Sequence, residues 1–182
     1  MPSFVAGYAS ATRSIGRKEH LVPRVFRPNQ PSAWARREFL DRCVADSLTA
    51  GAISEVSNRP HCVHPLGVVP PLYETPTILN MRHADAFMAN PSFRLDALSY
   101  FASIARSDDV MYSLDMAQGY YHANLHPESR TYVGFQWRDK FYVYNVLPFG
   151  MATAPRCFAK VMGMLVRHWR ARGERIIAYL DD

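Results

Sequence analysis

An α+β fold, with helices packed on one face of a mainly antiparallel sheet, is predicted by three features of the sequence. Two aromatic-rich runs, 131–137 and 140–146, flank the two-residue polar turn Arg138–Asp139, as in a β-hairpin. After them, Phe158, Met162, Leu165 and Trp169 recur at helical spacing. Short apolar runs ending in aspartate, 109–115 and 175–182, stand on either side of this hairpin and helix.

Each element follows from local chemistry. Residues 1–31 show no periodicity and carry Pro23, Pro28 and Pro31, which suggests a poorly ordered lead-in. Ser32 can cap a helix running to about Ala50, with Leu40, Val44 and Leu48 on one face and Gly51 as its stop. Residues 61–70 read as a strand interrupted by Pro65, and 76–81 as a second short strand after a Pro- and Tyr-containing turn. A helix is expected from near Ser92, carrying Leu95, Leu98, Ala102 and Ala105. Residues 109–115 then form a strand that ends on Asp115. In the second hairpin run, Phe141, Val143 and Asn145 alternate with Tyr142, Tyr144 and Val146, so both faces are largely apolar and the strand is buried. Thr153 and Pro155 open a long helix to about Arg172, Gly173 ends it, and 175–180 is a final strand.

Composition bounds the function. The chain has 182 residues, 48% of them hydrophobic and 13% aromatic, which favours a packed domain over disorder. A formal charge of +5 permits a polyanionic partner without requiring one. Cys43, Cys62 and Cys157 are odd in number and form no C-x-x-C pair. This argues against a zinc knuckle or a disulfide framework and for a reducing, intracellular setting, cytoplasmic or nuclear. No apolar stretch of ~18 residues is present to cross a membrane, so no membrane partner is expected.

The chemistry sits in the aspartates. If the strands ending in Asp115 and in Asp181–Asp182 are neighbours, three carboxylates converge and repel one another. A hard cation resolves the conflict, and Mg2+ suits a few carboxylates together with substrate phosphates. Two such ions ~3.5–4 Å apart serve in-line phosphoryl displacement. A strand-end aspartate is equally a turn or cap residue. Successive strand residues also face opposite ways, so Asp181 and Asp182 share a site only at the tip of a turn.

The surrounding residues resemble the palm of a reverse transcriptase, more narrowly that of long-terminal-repeat and tyrosine-recombinase retroelements. Three blocks carry the resemblance, in order: Asp115 with Tyr120 five residues later; L-P-F-G-x-x-x-A-P-x-x-F at 147–158; and Y-x-D-D at 179–182. Residues 61–70 and 77–85 resemble the fingers more loosely. The resemblance implies a fingers-like region over 32–106 and a palm over 107–182. It also implies an RNA-directed DNA polymerase with two Mg2+ ions (or Mn2+) held by Asp115, Asp181 and Asp182. Its partners would be an RNA or DNA template with primer, and a dNTP. Tyr120 would lie under the incoming sugar and disfavour a 2′-hydroxyl. Phe149 and Gly150 would border the nucleotide, and Tyr179 and Leu180 the primer end. Arg156 and Lys160, with Arg167, Arg170, Arg172 and Arg175, make the long helix and its exit basic, suited either to template phosphates or to solvent. His122 and His126 lack the acidic neighbour of a zinc motif and are read as non-catalytic.

Two departures from the family pattern matter. The family's fingers carry a lysine and an arginine for the triphosphate, whereas residues 70–82 contain no lysine and only Arg82, with Asn80 where an aspartate is expected. The Y-x-D-D aspartates would also normally sit at a hairpin tip, followed by a returning strand, more palm and a thumb. The chain is therefore expected to be a fragment, inactive alone and missing those C-terminal palm and thumb regions. The alternative is a non-catalytic nucleic-acid-binding relic of a retroelement.

Overall fold

The computed structural model describes residues 22–68, 77–89, 91–94, 96 and 98–178. The fold is α+β. In chain order its elements are β1 (Val25–Phe26), α1 (Pro31–Ala35), α2 (Arg37–Thr49), β2 (Ile53–Val56), β3 (Cys62–His64), β4 (Leu66–Val68), β5 (Thr77–Leu79), α3 (Arg82–Asp85), α4 (Leu98–Ile104), β6 (Gly134–Trp137), β7 (Lys140–Tyr144) and α5 (Ala154–Arg170). Two 3₁₀ turns, Gly119–His122 and Pro127–Tyr132, precede β6.

The main sheet has the order β1-β3-β6-β7-β2 and is mixed. β6–β7 and β7–β2 are antiparallel, while β1–β3 and β3–β6 are parallel. β4 and β5 form a separate antiparallel pair. Pro65 makes the division between the sheets, because it has no N–H for a ladder and separates β3 from β4. Residues 22–31, read as part of the lead-in, supply β1 and the start of α1, while 1–21 lie outside the described residues.

The hairpin forms where expected, but its first strand is shorter. Residues 131–133 belong to the second 3₁₀ turn and its cap, with Pro127 at the turn's start. Trp137 faces Lys140 across the Arg138–Asp139 turn, and Arg138 takes a positive φ of 55°. Asp41 of α2 holds this turn, accepting from the Trp137 indole N–H at 2.8 Å and from Arg138 Nη2 at 2.6 Å. Trp34 of α1 stacks on Trp137 with ring centroids 5.0 Å apart. Phe135, Leu40, Val63, Val133 and Leu147 are buried in the core.

Other expectations are corrected. The first helix is broken at Arg36, whose φ of −126° and ψ of 36° separate α1 from α2. Gln30 rather than Ser32 occupies the cap position, and the Ser32 hydroxyl instead accepts the Val68 N–H at 3.2 Å. The next helix starts at Leu98, not near Ser92; of its expected apolar positions, Leu95 lies outside the described residues. Neither 109–115 nor 175–178 is a strand. Among the described residues neither segment has a ladder partner, and an extended segment without one has no reason to be a strand. Val110, Met111, Tyr112 and Leu114 are accordingly exposed.

Candidate active site

The site is built around the Leu-Pro-Phe-Gly turn after β7. Leu147 and Pro148 are fully buried, and the Leu147 N–H donates to Ala123 O at 2.9 Å. The Phe149 carbonyl accepts from the Leu79 N–H of β5 at 2.9 Å. Gly150 follows with φ +100°, and a Cβ there would meet the Leu79 carbonyl oxygen at 2.1 Å. Glycine is required twice at this position, by conformation and by contact. Two residues on, the Ala152 N–H donates to Asp85 at the end of α3, at 3.1 Å. Burial raises the Asp85 carboxyl pKa and this N–H lowers it.

Helix α5 leaves this turn with Pro155 in its first turn, where a missing N–H costs nothing. It brings Phe158, buried, against the 3₁₀ turn that carries Tyr120. A Cβ on Gly119 would stand 2.9 Å from the Phe158 ring, so this glycine permits the approach. The Tyr120 ring lies 5.0 Å from Phe149 and meets Phe158 edge-on at 5.6 Å. Tyr121 extends the cluster to Phe149 at 5.8 Å and Tyr144 at 6.5 Å. Tyr120 is thus brought against Phe149, the neighbour of Gly150, from a distant part of the sequence. Aromatic pairs in such tilted and edge-on contacts contribute roughly 0.5–1.5 kcal/mol each beyond area burial.

Asp115 is exposed, five residues before Tyr120, and no other described residue engages its carboxylate. Tyr179, Leu180, Asp181 and Asp182 lie outside the described residues. Among the described residues no three His, Cys, Asp or Glu side chains are grouped as for a metal ion. Arg156 is half-buried and Lys160 exposed, one turn apart on α5. Arg170 and Arg175, read as facing phosphate or solvent, are instead engaged by acids. Arg170 pairs with Asp96 at 2.6 Å and Arg175 with Asp109. His126 pairs with Glu128 at 3.6 Å.

Asp85, Asp96 and Asp109 were not singled out from the sequence. No local pattern marks their pairing with Ala152, Arg175 and Ala178, which lie 66 to 82 residues away.

The chain is similar to known proteins in sequence and in fold. The family model described as "Reverse transcriptase (RNA-dependent DNA polymerase)" matches residues 72–182. The genome polyprotein of Petunia vein clearing virus (isolate Shepherd) is 27% identical over 106 residues, 58% of this chain and 5% of that protein. The enzymatic polyprotein of Cestrum yellow leaf curling virus is 26% identical over 156 residues, 80% of this chain and 23% of its own length. The foamy viral protease-reverse transcriptase in complex with dsDNA superposes with a TM-score of 0.68 at 17% identity, over 88% of this chain and 33% of that one. The chain thus spans only a small part of the relatives it matches.

Proposed function

The chain belongs to the reverse transcriptase (RNA-dependent DNA polymerase) family, and from that premise we propose that it supplies fingers and palm residues for nucleotidyl transfer on a primed template. In this reaction a primer 3′-hydroxyl attacks the α-phosphate of a dNTP and pyrophosphate leaves. The observation that carries the reading is the joint of Tyr120, Phe149 and Gly150, seated on β5 and set five residues from Asp115.

Each role is the one that the family resemblance implies, set here beside the geometry that supports it. Phe149 and Phe158 fix the Tyr120 ring, so it can act as a rigid floor for the sugar and exclude a 2′-hydroxyl. The Phe149–Gly150 backbone, tied to Leu79, borders the nucleotide. Asp115 has hard carboxylate oxygens open to a cation, and Asp181 and Asp182 would complete a donor set that suits Mg2+ or Mn2+. Two bound ions would offset the negative charge of the phosphates and ease loss of the proton from the attacking hydroxyl. Arg156 and Lys160 would meet backbone phosphates, and Tyr179 and Leu180 the primer end. The foamy viral enzyme, described as a complex with dsDNA, supports a nucleic-acid partner here.

A second reading, a non-catalytic nucleic-acid-binding relic, is favoured by one observation. Arg82 is the only cation in residues 70–82, where the family places triphosphate-binding cations. Charge on the leaving pyrophosphate is then poorly neutralised, so extension by the chain alone is expected to be absent or slow. The decisive measurement is therefore retention of the complementary dNTP on an RNA-templated primer, with Mg2+. Asp115→Ala is expected to abolish that retention, together with any extension. Primer–template binding with no selection of the complementary dNTP would instead favour the relic.

A further inference from the structure

Helix α5 begins without a side-chain cap of its own. Thr153 holds the cap position, yet its hydroxyl makes no capping bond and is buried without a partner among the described residues. Pro155 brings no N–H to the first turn. The N–H just before the cap, that of Ala152, is met instead by Asp85 Oδ1 of α3 at 3.1 Å, from 67 residues away. Asp85 is half-buried, and its own N–H donates to the carbonyl of the buried Met81 at 2.9 Å.

The short stretch from Leu79 to Asp85 thus grips the turn after β7 at two points. The Leu79 N–H donates to Phe149 O at 2.9 Å, and Asp85 accepts from Ala152 three residues later. Between the two bonds Gly150 lies so close to the Leu79 carbonyl that a Cβ would meet its oxygen at 2.1 Å. One bond leaves a turn free to pivot, and a second bond at its other end fixes its orientation. The first bond joins backbone to backbone and survives most substitutions. The second depends on one side chain. The Phe149 ring stands on the gripped turn, 5.0 Å from the Tyr120 ring, so a pivot of the turn moves the ring that backs Tyr120. The Asp85 charge has the sign that the start of a helix favours. The bond itself needs only an acceptor oxygen, which an amide also supplies.

We infer that Asp85 is a positioning residue for the nucleotide side of the site: it orients the Phe149–Ala152 turn and, through Phe149, the Tyr120 ring. It touches neither nucleotide nor metal. The inference rests on the polymerase reading of Tyr120, Phe149 and Gly150.

The test uses the whole chain with an RNA-templated primer, Mg2+ and the complementary dNTP. It reads dNTP retention, primer–template affinity and amide exchange at 150–152. Asp85→Ala is expected to weaken dNTP retention about tenfold, the scale of one hydrogen bond to a charged group. It should speed exchange at 150–152 and leave primer–template affinity unchanged. Asp85→Asn, which keeps the acceptor, is expected to match the parent chain in all three. Trp34→Ala, which loosens the α1–hairpin contact instead, controls for general destabilisation and should retain the dNTP. Asp85→Glu keeps the charge but displaces the oxygen, and covers the case in which Asp85→Ala does not fold; weaker retention is expected, and parent-like retention overturns the inference. Faster exchange with undiminished retention in Asp85→Ala would leave only a structural tie, and unchanged exchange would remove the tie itself. An Asp85→Asn chain as weak as Asp85→Ala, or a Trp34→Ala chain that loses retention equally, overturns the positioning role as well. If the parent chain selects no complementary dNTP, the polymerase reading fails and the inference falls with it.

Discussion

The two halves of the candidate site are held by different kinds of bond. Around Tyr120, Phe149 and Gly150 the chain is fixed by buried rings and backbone hydrogen bonds to β5. Around Asp115 and the approach to Asp181 it is fixed by exposed or half-exposed ion pairs, beside the exposed Val110, Met111, Tyr112 and Leu114. Burial contributes the larger stabilisation, and exposed ion pairs individually contribute only ~0–1 kcal/mol. The aromatic side is therefore expected to be rigid and costly to change. The carboxylate side is expected to be tunable and tolerant.

The largest expected effect tests the rigid side. Phe158→Ala removes the ring beneath Gly119 and Tyr120, and a loss of about 3–5 kcal/mol is expected from urea denaturation. Gly150→Ala comes next. Its Cβ would collide with the Leu79 carbonyl, and the strained φ and lost joint are expected to cost about 3 kcal/mol in the same measurement. A smaller loss than ~1 kcal/mol for both would erase the contrast.

Acid sharpens the comparison. His64 is buried in β3 with Nε2 3.0 Å from Tyr132 O, and burial lowers its pKa to about 4. The unfolded chain binds the proton first, so stability is full above about pH 6.5 and falls as pH drops toward 4. On the order of 3 kcal/mol is lost over that window. Asp109 has the same sign in a lower window, its carboxyl held below the usual range first by Arg175 and then by the Arg106 N–H. Its contribution is present above the ordinary aspartate pKa and disappears only as pH falls through the lowered one. Chemical denaturation between pH 4 and 7 is thus expected to show the sheet weakening while the Arg175–Asp109 tie survives. The smallest effect is reserved for the exposed segment: Leu114→Ser is expected to change stability by no more than ~0.5 kcal/mol.

What could be read from the sequence was mostly local. The Arg138–Asp139 turn, the stripe on α5 and the break at Pro65 each depend on neighbours within a few residues, and each formed. The resemblance named Tyr120 through the 115–120 block and Phe149 and Gly150 through the 147–158 block, and the structure sets the Tyr120 and Phe149 rings against each other. Why Gly150 must be glycine was not legible, because the obstructing carbonyl belongs to Leu79 in another sheet. The parallel pairings of β3 were hidden for the same reason, and β1 is only two residues long among prolines. The strand expected at 109–115 was legible as a pattern. Pattern states what a segment would do beside a partner, and none of the described residues pairs with it.

The stacking of Trp34 on Trp137 carries an optical consequence. The chain's three tryptophans fall into a coupled pair and a single residue, Trp169, near the end of α5. Trp137 is 2% exposed and Trp34 48% exposed. The pair is an emission source that a soluble quencher reaches from one ring only, while Trp169 stands next to Arg170, which pairs with Asp96. Intrinsic fluorescence can therefore distinguish loosening of the α1–hairpin contact from loosening at the carboxylate side, with no label attached.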